Sequence, residues 1–199
     1  MKDERTKQFA YSFHAATDEK GFVLGAIVTP GNVHNSHVLQ PLVEKVIQNV
    51  QKPLAVAADA AYKTPAITNF LLKNQMLPVL PYTRSKTKDG FFRKHEYTYD
   101  EHYNCYLYPQ GQILNYATTT REGYRQYKSN PLICAKCPSL SQCTESKHHQ
   151  KLIQRHIWES YVEEAEHLRH AYDIKQIYAK RKETIERVFA DAMDNLKRS

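Results

Sequence analysis

The apolar run Leu54-Ala55-Val56-Ala57-Ala58, entered from Pro53 and closed by Asp59, limits the fold more than any other segment. It is too short for a helix, and it lacks the apolar/polar alternation of a strand with one wet face. A short continuous run of this kind reads as a central strand covered on both faces, which requires layers of helix around a sheet.

The flanking patterns supply those layers. Phe9, Tyr11 and Phe13 alternate with smaller residues, Asp18-Glu19-Lys20-Gly21 offers a turn, and Phe22 to Val28 is apolar and β-branched, so residues 8–29 read as a hairpin. Ser36 is a candidate N-cap for a helix over about 37–50, with Val38, Leu39, Leu42, Val43, Val46 and Ile47 at helical spacing. Thr64-Pro65 caps a second helix, striped by Ile67, Phe70, Leu71 and Leu72, and Met76 to Leu80 reads as a further strand. The order strand, strand, helix, strand, helix, strand indicates an α/β domain with a mixed sheet.

The character changes after Pro81. Arg84, Lys86, Lys88, Arg93 and Lys94 surround Gly90-Phe91-Phe92, a tyrosine-rich stretch follows to about Tyr127, and all four cysteines lie here. Residues 83–145 therefore read as a basic, β-rich insertion, with the core made of 1–82 and 146–199. From about Ser146 onward the pattern is helical, and Ile174, Ile177, Tyr178, Ile185, Val188, Phe189, Ala192 and Leu196 form one apolar face.

The chain of 199 residues carries a formal charge of +7. That excess favours a polyanionic partner, because Lys and Arg neutralise phosphates and release counterions. No apolar run approaches the roughly 20 residues of a membrane helix, and the charged start Met1-Lys2-Asp3-Glu4-Arg5 leads into no signal-peptide core. A cytoplasmic setting is expected. There, cysteines serve as thiols or metal ligands sooner than as disulfides.

Two carboxylates stand out. Asp59 ends the buried run, where open α/β sheets place their ligands; it also suits a turn or cap. Glu186 lies about 100° of helix from Ile185, on the edge of the apolar face. Its plainer reading is a solvated partner of Lys182, and Glu183 is a rival one turn earlier. Tyr62, three residues after Asp59, can orient that carboxylate or simply pack. Convergent carboxylates hold Mg²⁺ or Mn²⁺ for phosphodiester chemistry. Cys134, Cys137 and Cys143, with Cys105, are enough thiolates for a tetrahedral Zn²⁺ site, and His102, His148 and His149 are substitutes; the alternative is reduced cysteines in a small core. Arg84, Lys86, Lys88, Arg93 and Lys94 beside Phe91 and Phe92 form either a DNA-contacting loop or a solvated one.

Several strings resemble bacterial insertion-sequence transposases of the acidic-triad class. Gly21-Phe-Val-Leu-Gly-Ala-Ile-Val-Thr-Pro-Gly-Asn-Val-His-Asn35 is similar to their second and third strands. Ala58-Asp59-Ala60-Ala61-Tyr62 resembles their second-aspartate motif, and Arg181-Lys-Glu-Thr-Ile-Glu-Arg-Val-Phe-Ala-Asp-Ala192 their glutamate helix. The resemblance implies a ribonuclease H-like fold with an insertion before the last helix, a cysteine group in that insertion, and DNA strand cleavage and transfer on transposon ends and target. It matches Asp59 and Glu186 to the second and third acidic residues. The first belongs on a strand ahead of Gln8, where only seven residues stand, and relatives continue beyond the glutamate helix and often carry lysine at the position of Met193. The expectation is thus a core shortened at both ends, inactive by itself and prone to self-association as a homodimer through an exposed sheet edge. The competing readings are a non-catalytic, zinc-stapled nucleic-acid-binding module and a ribonuclease H-like nuclease unrelated to transposition.

Overall fold

A computed structural model describes residues 10–83, 87–109, 111–171 and 174–197. The chain forms an α/β protein of two compact units, one running to Tyr82 and resuming at Ser160, the other spanning Thr83–Glu159.

The first unit opens with β1 (Tyr11–Thr17) and β2 (Val23–Pro30), an antiparallel pair with Phe13 opposite Val28 and His14 opposite Ile27. The turn holds because Asp18 Oδ1 accepts the amides of Lys20 and Phe22 at 2.9 and 2.8 Å while Gly21 takes φ +91°. Gly31 is required for a different reason: a Cβ there would lie 2.7 Å from the Ala10 carbonyl oxygen. Ser36 does not cap the first helix. It sits in a 3-10 turn whose start is capped by the His34 side chain, and α1 (Leu39–Asn49) begins after Val38 without a side-chain cap.

The central run becomes β3 (Ala55–Ala57), followed by α2 (Pro65–Lys73) and β4 (Leu77–Val79). Thr64 caps α2 by accepting the Ile67 amide at 3.3 Å, with Pro65 at the first turn as expected. Strands β3 and β4 pair in parallel, Ala55 opposite Leu77. In both two-stranded sheets one edge of each strand has no strand partner among the described residues. The expectation that residues 54–58 are covered on both faces is therefore not met. Leu54 is 89% exposed and Ala57 is exposed, whereas Ala58 is buried.

The core of this unit is built by Leu39, Val43, Ala58, Ile67, Leu71, Met76 and Leu80, with Tyr62 and Val56 packed against it. Helices α5 (Glu159–Ala171) and α6 (Ile174–Lys197) complete the chain, and α6 packs against β3 and β4.

The second unit is a five-stranded antiparallel meander of β5 (Thr98–Asp100), β6 (Cys105–Leu107), β7 (Ile113–Thr119), β8 (Tyr124–Lys128) and β9 (Leu152–His156). Two single-turn helices, α3 (Pro131–Cys134) and α4 (Leu140–Cys143), lie between β8 and β9. The helical pattern expected from Ser146 starts only at Glu159. Leu152–His156 instead alternates, with Ile153 and Arg155 buried and Leu152 and Gln154 exposed, which is the period of a strand. Tyrosines make this core: Tyr97, Tyr106, Tyr108 and Tyr127 join Leu114, Cys143 and Ile153. The Tyr127 and Tyr99 hydroxyls donate to Asn104 Oδ1 at 2.8 and 3.1 Å, satisfying polar tips that burial would otherwise strand.

Leu71 is fully buried at the centre of the first unit. Leu71→Ala is expected to lower unfolding free energy by about 2–5 kcal/mol in urea melts, the range for truncating a buried leucine.

Candidate active site

Asp59 follows β3 in extended conformation and leads a 3-10 turn over Ala60–Tyr62. One carboxylate oxygen, Oδ1, accepts the Ala61 amide at 3.0 Å, so the capping role is real. The other, Oδ2, lies 3.9 Å from a guanidinium nitrogen of Arg181 on α6, with 46% of the Asp59 side chain exposed. Capping engages one oxygen and leaves the second to Arg181.

The same turn positions Tyr62. Its hydroxyl is 2.6 Å from Nδ1 of His14, a buried residue of β1, and His14 Nε2 is 3.2 Å from the Thr29 hydroxyl on β2. Each ring nitrogen thus has one partner, so a neutral imidazole donates one bond and accepts the other. Burial pushes the His14 pKa down, opposed by the negative charge of Asp59. Burial, then Asp59, pushes the Tyr62 pKa up, opposed by Arg181. The Asp59 charge is therefore felt by both members of this pair, and strands β1, β2 and β3 are tied together at one place.

Helix α6 reaches the site through two contacts. Arg181 faces Asp59, and the Phe189 ring meets Phe13 of β1 edge-on, centroids 6.1 Å apart. These contacts fix the rotation of the helix. At about 100° per residue, Glu186 falls about 60° from Phe189 and about 140° from Arg181, and Glu183 about 120° and about 160° from them, so Glu186 is on the flank and Glu183 further from the packed side. Both glutamates are exposed. The rotation favours Glu186 over its rival. The side chains of Lys182 and Met193, and residues Asp3, Arg84 and Lys86, lie outside the described residues.

The cysteines behave differently from the zinc expectation. Cys143 is buried beside the Tyr97 hydroxyl, 3.7 Å away, and Cys137 packs against the same tyrosine cluster. Cys134 donates to the Ser129 hydroxyl at 3.2 Å. Cys105 precedes Tyr106 on β6 and so takes the opposite face of that strand from the tyrosine cluster. Burial, then Asp100, pushes its thiol pKa up. Among the described residues no group of three or more His, Cys, Asp or Glu side chains is arranged to hold a metal ion.

The basic loop is partly engaged. Lys88 pairs with Glu145 and lies over the Phe91 ring, and Lys94 pairs with Glu159. Arg93 is exposed at the start of a turn, while Phe92 packs edge-on against Tyr108, 5.2 Å between centroids. Of the two aromatics, Phe92 belongs to the core.

Sequence reasoning missed His14, Thr29 and Arg181. A signal for His14 was present, because a histidine alternating with Tyr11 and Phe13 takes the opposite strand face. Arg181 opens the glutamate-helix string, and nothing in that string marks it as a partner of Asp59.

Residues 107–198 match a protein-family model described as a transposase DDE domain, a span that includes Glu186, Cys134, Cys137 and Cys143 but not Asp59. No curated protein and no solved structure matches the chain.

Because the folded chain resists protonating His14, the unfolded chain takes up that proton first as pH falls. Stability should then be complete above the ordinary histidine pKa of 6.5 and decline below it. Urea melts at about pH 7.5 and about pH 5.5 are expected to show a smaller loss for His14→Asn than for the parent chain. Equal losses would remove His14 from the account.

Proposed function

We propose that this chain, which carries a transposase DDE domain over residues 107–198, supplies part of the active site for DNA strand cleavage and transfer, with Asp59 and Glu186 as its metal-binding carboxylates. DNA is the partner this family implies, and transposition the process. The observation that carries the assignment is the meeting of Arg181 with Asp59, which brings the glutamate helix to the end of β3.

The residues suit a divalent ion of the hard class. The Asp59 side chain is half-exposed, and its Oδ2 is only loosely paired, 3.9 Å from Arg181. Glu186 is exposed on the flank of α6 nearer the packed side. Hard carboxylate oxygens favour Mg²⁺ or Mn²⁺ over softer metals. When bound, such ions supply activation of a water or 3′-hydroxyl and stabilisation of the leaving oxygen. The protein's own contribution is placement. Asp59 is oriented by the Ala61 amide, and the turn beneath it is pinned by Tyr62 to His14. Arg181 adds a positive charge at the strand end that suits a scissile phosphate.

In this reading the first unit, to Tyr82 and from Ser160, is the catalytic core, and the inserted unit runs on to Glu159, past the boundary at 145 that the sequence suggests, because β9 joins its sheet. A cytoplasmic location accords with the family; no helix among the described residues is long and apolar enough to cross a membrane.

The test uses Fe²⁺ in place of Mg²⁺, so that ascorbate-driven radicals cut the backbone next to the bound ion. Breaks are expected near Asp59 and near Glu186, competed by Mg²⁺ and lost in Asp59→Asn. In metal-dependent strand cleavage, Asp59→Asn and Glu186→Gln should each lower the rate by about 100-fold or more, with Glu183→Gln near the parent rate. Breaks confined to other segments, or cleavage indifferent to both substitutions, would overturn the assignment.

A further inference from the structure

The second unit contains a groove that the carboxylate site does not use. Two cavities of about 520 and about 350 Å³ share Phe91, Lys151 and Leu152 as common walls. Each falls within the roughly 300–1,000 Å³ of small-ligand pockets. Lys128 and His148 line the first, and Lys88 and Lys94 the second.

Charge and apolar surface are arranged on this groove in a particular way. Lys151 donates to the Cys143 carbonyl at 2.8 Å and lies over the Tyr97 ring, which fixes its ammonium without neutralising it. Lys128 is half-buried, and neither lysine has a carboxylate partner among the described residues. Lys88 and Lys94 do have partners, Glu145 and Glu159. The Lys88 pair is exposed on both sides, and such a pair contributes little and leaves its lysine free to turn to a phosphate. Four lysines therefore stand against two carboxylates. Between them lie Phe91, half-buried with a cation already over its ring, and Leu152, 45% exposed.

Cations spaced around an aromatic and aliphatic floor suit a polymer that presents phosphates and unstacked bases together. A duplex offers phosphates but keeps its bases paired and stacked, so it has nothing to place on Phe91 and Leu152. We infer that the groove walled by Phe91, Lys128, Lys151 and Leu152 binds single-stranded DNA, one base resting on Phe91 and neighbouring phosphates on Lys128 and Lys151. The inference rests on the proposed function only for the choice of DNA as the polymer. It assigns the second unit the task of holding an unpaired strand during processing.

The probe is fluorescein-labelled oligo-dT of about 12 nucleotides, within the usual site sizes for such grooves, titrated by anisotropy into the 199-residue chain. Phe91→Ala is expected to weaken oligo-dT binding about tenfold, the scale of one lost stack. Lys128→Glu and Lys151→Gln should each reduce the salt dependence by about 0.7 in slope, one phosphate contact apiece. Binding of a blunt duplex of the same length should change little with Phe91→Ala. A second measurement avoids dependence on destabilised variants: Phe91→Trp places an emitter in the groove, which oligo-dT should quench and the duplex should not. The titrations are run in EDTA, which removes the divalent ions the cleavage site needs, so failure of the cleavage site and failure of the groove give different results. Unaltered oligo-dT affinity in Phe91→Ala and Lys128→Glu, or equal quenching of Phe91→Trp by strand and duplex, would overturn the inference.

Discussion

The packing of α6 against β3 and β4 is the contact on which the candidate site depends. Strand β3 is three residues long and pairs on one side only among the described residues, so backbone pairing alone holds Asp59 weakly. Arg181 at Asp59 and Phe189 at Phe13 add a polar and an apolar contact from a single helix, about two turns apart. Two contacts at different heights on one helix determine both its position and its rotation. That rotation leaves Glu186, the proposed metal ligand, on the flank of α6 and Glu183 further from the packed side.

Beneath Asp59 a second set of contacts does for the turn what α6 does for the strand. The buried pair His14–Tyr62 joins β1 to the 3-10 turn, and Thr29 joins β2 to the same imidazole. Burial favours the uncharged imidazole and the protonated phenol, and both states suit a hydrogen bond between them. A charged pair here would compete with Arg181 for the Asp59 carboxylate. A neutral bridge leaves the carboxylate to the guanidinium and to whatever cation approaches from solvent.

Much of the first unit was legible because its signals are local. The Asp18–Gly21 turn, the Thr64-Pro65 cap and the 3.6-residue stripes of α1 and α2 all act over a few residues, and each appears where the sequence places it. Asp59 was legible for the same reason, as the charged end of an apolar run. What was not legible depends on contacts distant in sequence. The run at 54–58 reads as a strand covered on both faces, yet its exposure is set by which strands lie beside it, and no residue in the run encodes that. β9 was hidden because five alternating residues, Leu152 to His156, merge into the amphipathic pattern of the helix that follows. The cysteine spacing suggested one metal site, but a single step of strand alternation at Cys105 directs that thiol away from the face where Cys143 packs. His14 and Arg181 act only through partners 48 and 122 positions away, and spacing rules do not reach that far.

The tyrosine core of the second unit bears on why its surface is free to bind. A sheet of five short strands buries little aliphatic surface, and Tyr97, Tyr106, Tyr108 and Tyr127 make up the deficit with large rings whose packing is directional. The Tyr127 hydroxyl is anchored on Asn104 and the Tyr97 hydroxyl faces the Cys143 sulfur. Lys151 is held against that same core by the Cys143 carbonyl and the Tyr97 ring. Its charge is thus positioned by the fold and not by an opposing carboxylate. A cation fixed in this way loses little conformational entropy when a phosphate arrives. The residues that stabilise the unit are therefore the ones that preorganise its charged groove, and stability and binding in this unit depend on the same packing.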